Sequence, residues 1–361
     1  MSNQKLNSTQ IVSLVVMVTA IVVGWIAYHN YQPKLLEQYD LTEYAFFLVV
    51  AQGLILIITP PIAGHIGDRF RKRGSHRFRI IALGVGFAAM IFMTVALGLA
   101  TLPDSVVALL LPILVVFWLI AMNIFTSPAI STFELFAPFE RQPMALAILT
   151  LTAELLYALE PVIVPIIDSL GGVVTFFTGG VLVIVAGLLL RKTSTNVPDP
   201  FSAEEGPKKS SWGEVLFAGL RLGIPTALVF NMLPDVLSNQ LADAFPNVNG
   251  AWWVSGMLAL AGLVCLPLGK VATQWGLQRS QRLSFTVMLV AAILIFLNAH
   301  WAVTLFGAVV FAMSLSMQSV SSLPFALTRI ASFQKVLGVG VFFAGVEIPN
   351  AILEIYLGFP K

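Results

Sequence analysis

The chain has 361 residues, of which 58% are apolar and only 11% are charged, and its mean hydropathy is +0.89. A soluble domain of this length needs far more polar surface, so the composition indicates an integral membrane protein. The net charge of +2 gives no indication of a nucleic-acid partner, and the single cysteine, Cys265, excludes an internal disulfide.

Apolar stretches of about 20 residues, the length that crosses a bilayer core of about 30 Å, follow one another along the whole chain. Each is expected to be helical, because lipid offers no partner for unpaired backbone groups. The predicted fold class is therefore all-α integral membrane. The eleven predicted spans are 10–31, 42–65, 79–100, 105–127, 143–167, 171–190, 212–236, 251–270, 282–298, 301–323 and 335–357.

The longest polar stretch, Arg191 to Ser211, divides the chain after six spans. We therefore predict a six-helix bundle over 1–191, a central loop over 192–211 and a five-helix bundle over 212–361. Of the 20 Lys and Arg residues, all but Lys34, Lys361 and Arg221 fall on the same side when the loops are assigned alternately. The positive-inside rule then predicts a cytoplasmic N-terminus and central loop.

A short basic turn, Gly64-His65-Ile66-Gly67-Asp68-Arg69-Phe70-Arg71-Lys72-Arg73, lies between the second and third spans. Its pattern, Gly-x-x-x-Asp-Arg followed by a basic cluster, resembles the loop between the second and third helices of the major facilitator superfamily. Arg71 stands where that family usually has a glycine. The alternative interpretation is an anchor that sets membrane topology, which any membrane protein could carry.

A weaker copy of this turn, Gly269 to Arg279, lies at the same place in the second half of the chain. Thr273 replaces Asp68 in this copy, and Gln274 replaces Arg69. A second pairing sets Ser127-Pro128-Ala129 beside Leu323-Pro324-Phe325-Ala326. These repeats predict two pseudo-symmetric helical bundles, of six and five helices.

Three stretches resemble the branch of sucrose-transporter-like proteins and glycoside–pentoside–hexuronide:cation symporters: Thr59 to Gly64 with the Asp68-Arg69 turn, Ser127 to Arg141, and Leu323 to Asn350. The chain departs from that branch at Thr328-Arg329, where an acidic residue is usual, and at Asn350, where glutamine is common. Proteins of this fold have twelve spans, so the prediction of eleven implies that the twelfth helix is absent.

Ionisable residues at bilayer depth are costly, which makes them candidates for a proton or solute pathway. Glu154, Glu347 and Arg221 are predicted near the midplane, on the fifth, eleventh and seventh spans. The resemblance implies that these spans surround a central cavity, where one guanidinium between two carboxylates would neutralise part of the charge. Glu160 and Glu354 lie further out and are equally pathway residues or structural partners.

Neutral side chains on other cavity-lining spans are candidates for solute binding. Amides could hydrogen-bond solute hydroxyls, and aromatic rings could stack on a sugar or simply fill the core. The candidates are Gln52, Asn123, Asn231, Gln318, Trp25 and Tyr157.

Charged residues on the cytoplasmic side form a predicted gate. The resemblance implies that Asp68 caps the start of the eleventh helix and that Arg69 pairs with Glu134 at the end of the fourth. Solvated surface charges are the alternative. The predicted gate set is Gly64, Asp68, Arg69, Arg73, Glu134 and Arg141.

These features predict a secondary active transporter that carries a small polar solute, such as a sugar or glycoside, together with a proton or Na⁺ by alternating access. We expect it in the plasma membrane, as in a bacterial inner membrane. No phosphate-binding loop, metal-ligand cluster or nucleophile triad is recognisable, so no enzyme activity and no cofactor are expected. The alternatives are efflux of an amphipathic compound and a scaffold or sensor without transport.

Overall fold

The computed structural model describes residues 7–73, 76–197, 210–228, 233–297 and 300–358. These residues form helices joined by short turns, with no strand among them. The helices are α1 (Ser8–Gln38), α2 (Ala45–Lys72), α3 (Phe78–Thr101), α4 (Asp104–Ile130), α5 (Phe133–Phe136), α6 (Gln142–Ala158), α7 (Glu160–Ser194), α8 (Trp212–Ala227), α9 (Leu233–Ala244), α10 (Gly250–Trp275), α11 (Leu277–Leu297), α12 (Trp301–Leu327) and α13 (Lys335–Gly358). Three 3₁₀ turns cover Thr42–Tyr44, Phe139–Arg141 and Ser332–Gln334.

Nine helices in the described part of the chain are long and apolar enough to cross a membrane, compared with the eleven predicted spans. The fifth predicted span is not one helix, because α6 ends at Ala158 and α7 begins at Glu160 with Pro161 in its first turn. A proline there lacks the N–H that would continue the preceding helix. Most of the central loop, residues 198–209, lies outside the described residues.

Two further helix interruptions complete the comparison between the eleven predicted spans and the observed helices. Helix α7 changes direction at Gly171, whose φ of 73° and ψ of 167° are not helical, so its second segment, 172–194, corresponds to the sixth predicted span. The seventh predicted span contains α8, which ends at Ala227, and the start of α9. The repeated crossings establish a multi-pass membrane protein.

The helices form an N-terminal bundle, α1–α7, and a C-terminal bundle, α8–α13. In the first bundle α3 packs on α4 and α7, and α1 packs on α7. In the second bundle α12 packs on α10 and α11, and α13 packs on α8. The bundles meet along two seams, α2 with α13 and α6 with α10. These seams join the second predicted span to the eleventh and the fifth to the eighth, as a pseudo-twofold arrangement requires.

Candidate functional site

A chain of polar side chains crosses the α2–α13 seam within the membrane. The Tyr28 hydroxyl on α1 donates a 2.8 Å hydrogen bond to Gln52 Oε1 on α2, and both residues are buried. Gln52 Nε2 then donates to Glu354 Oε2 on α13 at 3.1 Å. Gln52 and Glu354 are therefore brought together by the fold, and their contact links the two bundles.

A second polar group surrounds Tyr157 of α6 and includes carboxyl groups of α6, α7 and α13. Glu154 is buried on α6, and a Cβ added at Gly262 of α10 would lie 3.2 Å from the Cβ of Glu154. Glu347 on α13 accepts a 3.3 Å hydrogen bond from Asn350 Nδ2. The Tyr157 hydroxyl interacts electrostatically with Glu347, Glu154 and Glu160. Carboxyl groups from both bundles thus share one intramembrane region.

Glu160, at the start of α7, also contacts α1. Asn30 Nδ2 donates a 3.1 Å hydrogen bond to Glu160 Oε1. This contact lies within the N-terminal bundle, so Glu160 ties α1 to α7.

The structure does not place Arg221 between Glu154 and Glu347. The Arg221 side chain is exposed on the outer surface of α8, where its guanidinium lies 5.5 Å from the ring of Phe217. The prediction assumed that the charged side of α8 faces the centre of the molecule. The side of α8 that packs on α13 instead carries Gly219 and Gly223, which allow a close approach that an arginine would prevent.

The predicted solute-binding candidates lie in different surroundings. Asn123 is buried and donates to Leu119 O on its own helix. Gln318 is fully buried and accepts a 2.8 Å hydrogen bond from Ser284 on α11, so it faces the interior of the C-terminal bundle. Asn231 lies outside the described residues.

Trp25 belongs to an aromatic cluster on α1 and α4. Its ring centroid is 5.7 Å from that of Tyr28 and 5.3 Å from that of Trp118, and Tyr28 stacks on Trp118 at 4.7 Å. Trp25 therefore supports the residue, Tyr28, that begins the polar chain across the α2–α13 seam.

The α2–α13 seam is closed near the start of α13 by a buried carboxylate. Asp68 accepts hydrogen bonds from the backbone N–H groups of Leu337, at 2.8 Å, and Val336, at 3.3 Å, at the start of α13. A carboxylate at a helix N-terminus pairs with free N–H groups and with the positive end of the helix dipole. The contact predicted between Asp68 and the start of the eleventh helix is present in the structure.

The partner of Asp68 on its own helix is Arg71. Arg71 Nη1 lies 3.2 Å from Asp68 Oδ1 and 3.2 Å from Ser332 O in the turn before α13. Arg71 is buried and therefore joins α2 to the C-terminal bundle as well. The residue that departs from the family pattern thus makes a contact across the α2–α13 seam.

The pairing of Arg69 with Glu134 was predicted but is not observed. Arg69 is exposed, whereas Glu134 Oε1 lies 3.0 Å from Lys335 Nζ, on the first residue of α13. Successive helical residues are about 100° apart, so Arg69 turns away when Asp68 faces α13, and Arg71 at i+3 shares the Asp68 face. Of the other predicted gate residues, Arg73 is exposed and Arg141 is partly buried.

Gly64 allows the close approach of α2 to α13. A Cβ added there would lie 2.5 Å from Val336 O and 2.7 Å from Leu337 Cα, so any larger residue meets backbone. Gly64 therefore holds Asp68, one turn further along α2, within reach of the α13 N-terminus.

Sequence reasoning missed Tyr28, Arg71 and Lys335 as site residues. The i,i+3 spacing of Trp25 and Tyr28, and of Asp68 and Arg71, places each pair on one helix face and is the signal that identifies Tyr28 and Arg71. No comparable sequence signal identifies Lys335, because its partner Glu134 is about 200 residues away.

Comparisons with known proteins agree with this architecture. The model of the Major Facilitator Superfamily matches residues 8–352. A search of curated protein sequences finds no match to this chain. Three similar solved structures illustrate the likeness of fold, and their identities of 13% to 15% show the fold alone.

The first is the human organic anion transporter MFSD10 (TETRAN), with 13% identity, a TM-score of 0.66, and coverage of 98% of this chain and 93% of that chain. The second is a bacterial homologue of the iron transporter ferroportin in an outward-facing state, with 15% identity, a TM-score of 0.66, and coverage of 98% and 91%. The third is the proton:xylose symporter XylE bound to 6-bromo-6-deoxy-D-glucose, with 14% identity, a TM-score of 0.62, and coverage of 96% and 88%. Because the family model extends from the start of α1 into α13, the chain belongs to the major facilitator superfamily.

Proposed function

We propose that this protein is a secondary active transporter that moves a small polar solute, such as a sugar or glycoside, together with protons by alternating access. The observation that carries the proposal is the group formed by Glu154, Tyr157 and Glu347. These residues bring carboxyl groups from both bundles into one intramembrane region. Ionisable groups at this depth are costly to bury, and a proton pathway is their usual reason.

The contacts between the bundles suggest how the cycle proceeds. In the present conformation Asp68 and Arg71 hold the cytoplasmic end of α2 against α13. Rocking of the bundles would break these contacts and open the cytoplasmic side. The Gln52–Glu354 hydrogen bond also joins α2 to α13, so a solute hydroxyl that replaces either partner would weaken this link.

Protonation provides the coupling in this scheme. A negative carboxylate resists transfer to a less hydrated environment, whereas the neutral acid does not. Glu154 and Glu347 would therefore carry the proton as the cavity changes its access from one side of the membrane to the other. The Lys and Arg distribution supports a cytoplasmic N-terminus, and we place the protein in a plasma membrane such as a bacterial inner membrane.

Efflux of an amphipathic compound is the second candidate function. A groove of about 660 Å³ opens at the non-cytoplasmic ends of α2 and α4 and is lined mainly by apolar side chains, among them Tyr44, Phe47, Leu109 and Phe117. Such a groove could admit an amphipathic molecule from the lipid. If the protein transports neither polar solutes nor amphipathic compounds, it is a scaffold or sensor.

Reconstitution into proteoliposomes that contain a pH-sensitive dye tests the proposal. Addition of the transported sugar should acidify the lumen, and Glu154→Gln and Glu347→Gln should each abolish uptake driven by a proton gradient. Solute counterflow, which needs no net proton movement, should be retained. Asp168→Asn is the matched control, because Asp168 lies in an exposed ion pair with Lys34.

Three results would reject the proposal. Proton-coupled uptake that survives both glutamine variants would exclude these carboxylates as the coupling groups. Movement of lipophilic dyes but not of sugars would establish efflux, and the absence of any uptake across a broad solute panel would favour the scaffold.

A further inference from the structure

A cavity lies inside the N-terminal bundle, between α1, α3, α4 and the second segment of α7. It contains about 520 Å³ of empty space, of which only about 40 Å³ has room for the centre of a water molecule, so it is narrow. It extends along α1 from Gly24 to Leu35, a distance of about 16 Å at 1.5 Å per residue. The α1 residues that line it share one helix face: Gly24, Ala27, Tyr28, Tyr31, Gln32 and Leu35.

The opposite wall of the cavity is a face of α4. It consists of Leu111, Leu114, Val115 and Trp118, whose spacing places them on one side of that helix. Helix α1 packs mainly on α7 and contacts α4 far less, which leaves space between the two faces. The described residues that line this space are largely apolar, and none of them is charged. The cavity is therefore suited to an uncharged, apolar molecule.

One polar group of these walls has no partner among the described residues. Trp118 is 5% exposed, and its Nε1 donates no hydrogen bond. The Cζ2 atom, on the same edge of the indole as Nε1, lies 3.9 Å from a Cβ added at Gly24, so this edge faces the end of the cavity. The Tyr28 hydroxyl and Thr175 Oγ1, by contrast, donate to other residues. A buried indole N–H usually has an acceptor, so a ligand oxygen is expected beside Trp118.

We propose that this cavity binds an unbranched aliphatic molecule with one uncharged terminal oxygen, such as a fatty alcohol. The oxygen accepts a hydrogen bond from Trp118 Nε1, and the chain extends along α1 towards Leu35. The narrow shape excludes the rings of a sugar or a sterol, and apolar walls without a cation disfavour a carboxylate. A water molecule beside Trp118 would need two or more polar partners.

The site is separate from the pathway proposed for the polar solute, because all of its described residues belong to the N-terminal bundle. It also uses a different side of α4 from the groove that contains Leu109 and Phe117.

Two photoreactive probes test the proposal. One is decanol with a diazirine close to its hydroxyl group, and the other is decane with a diazirine at the corresponding carbon. Each is irradiated with the full-length protein in liposomes, with and without an excess of plain decanol, and the labelled residues are identified by mass spectrometry. The variants are Trp118→Phe, which removes the N–H, and Ala27→Phe, which fills the cavity. Ala82→Phe is the matched control, because Ala82 is exposed on α3.

In the wild type, the decanol probe should label Tyr28 about fivefold more than the decane probe, as one hydrogen bond predicts, and plain decanol should compete. Trp118→Phe should make the two probes equal. Ala27→Phe should remove labelling by both, whereas Ala82→Phe should change neither. A change in packing at Trp118 affects both probes, so their ratio reports the hydrogen bond.

Three results would overturn the proposal. The first is equal labelling of Tyr28 by the two probes in the wild type, and the second is a preference for decanol that survives Trp118→Phe. The third is labelling that Ala27→Phe leaves unchanged or that is confined to lipid-facing residues, since the probes then do not enter the cavity.

Discussion

The two seams between the bundles close by the same packing device. In the α2–α13 seam, Gly64 meets the backbone of Val336 and Leu337. In the α6–α10 seam, Gly269 occupies the repeated position, and a Cβ added there would lie 2.8 Å from the Ala147 Cβ and 3.3 Å from Pro143 O. Each half of the repeat thus uses one glycine to bring its helix against the start of a helix in the other bundle.

The seams differ in their polar contacts. Asp68 and Arg71 make buried, charged contacts across the α2–α13 seam. Thr273 stands where Asp68 would be, but its hydroxyl donates to Gly269 O on its own helix, and the α6–α10 seam has instead a 2.8 Å contact from Cys265 Sγ to Ala147 O. The comparison shows that the packing role and the charge role of a repeated turn are separable.

The largest effect is expected from filling the α2–α13 seam. Gly64→Leu would place a side chain against the α13 backbone and destabilise the closed state by about 3 kcal/mol. Because rigid bundles open both seams together, the rate of alkylation of Cys265, which is fully buried at the other seam, should rise sharply.

Gly86→Leu on α3 is the control for this substitution, because a Cβ at Gly86 meets nothing within 4 Å. Equal alkylation rates for the two variants would show that the α2–α13 contact does not hold the two bundles together.

A smaller effect is expected from the charged contact alone. Asp68→Asn weakens the hydrogen bonds from Val336 and Leu337 and removes the negative charge that faces Arg71, a loss of about 2 kcal/mol. The open fraction, and with it Cys265 alkylation, should rise about thirtyfold.

Thr273→Val tests the other half of the comparison. Its hydroxyl contacts only its own helix backbone among the described residues, so alkylation should remain within about twofold of the wild type. A rise as large as that of Asp68→Asn would mean that both seams depend on polar contacts.

The smallest effect is expected at the ion pair between Glu134 and Lys335. The two side chains are 7% and 24% exposed, and such a pair contributes about 0.5 to 1 kcal/mol. A double-mutant cycle with Glu134→Gln and Lys335→Gln, measured by Cys265 alkylation, should give a coupling of that size. Full additivity would show that the pair does not contribute to the contact between the bundles.

Local features were predictable to different extents. The helical membrane class was predictable from the lengths of the apolar stretches, and the Asp68 contact was predictable from the resemblance of its turn to a known family. The interruption of the fifth span required attention to Pro161, which lies in the first turn of α7, where the missing N–H of proline is tolerated. The position of Arg221 was not predictable, because hydropathy gives the depth of a residue but not the direction in which its side chain points.

The sequence by itself determined the membrane class, the repeat and the placement of ionisable residues along the helices. Only the tertiary structure decided which of these residues meet. Gln52 and Glu354 are about 300 residues apart, and Glu134 and Lys335 about 200. Contacts of this kind depend on the rotation of each helix about its axis, and the packing of glycines such as Gly64 and Gly223 sets that rotation.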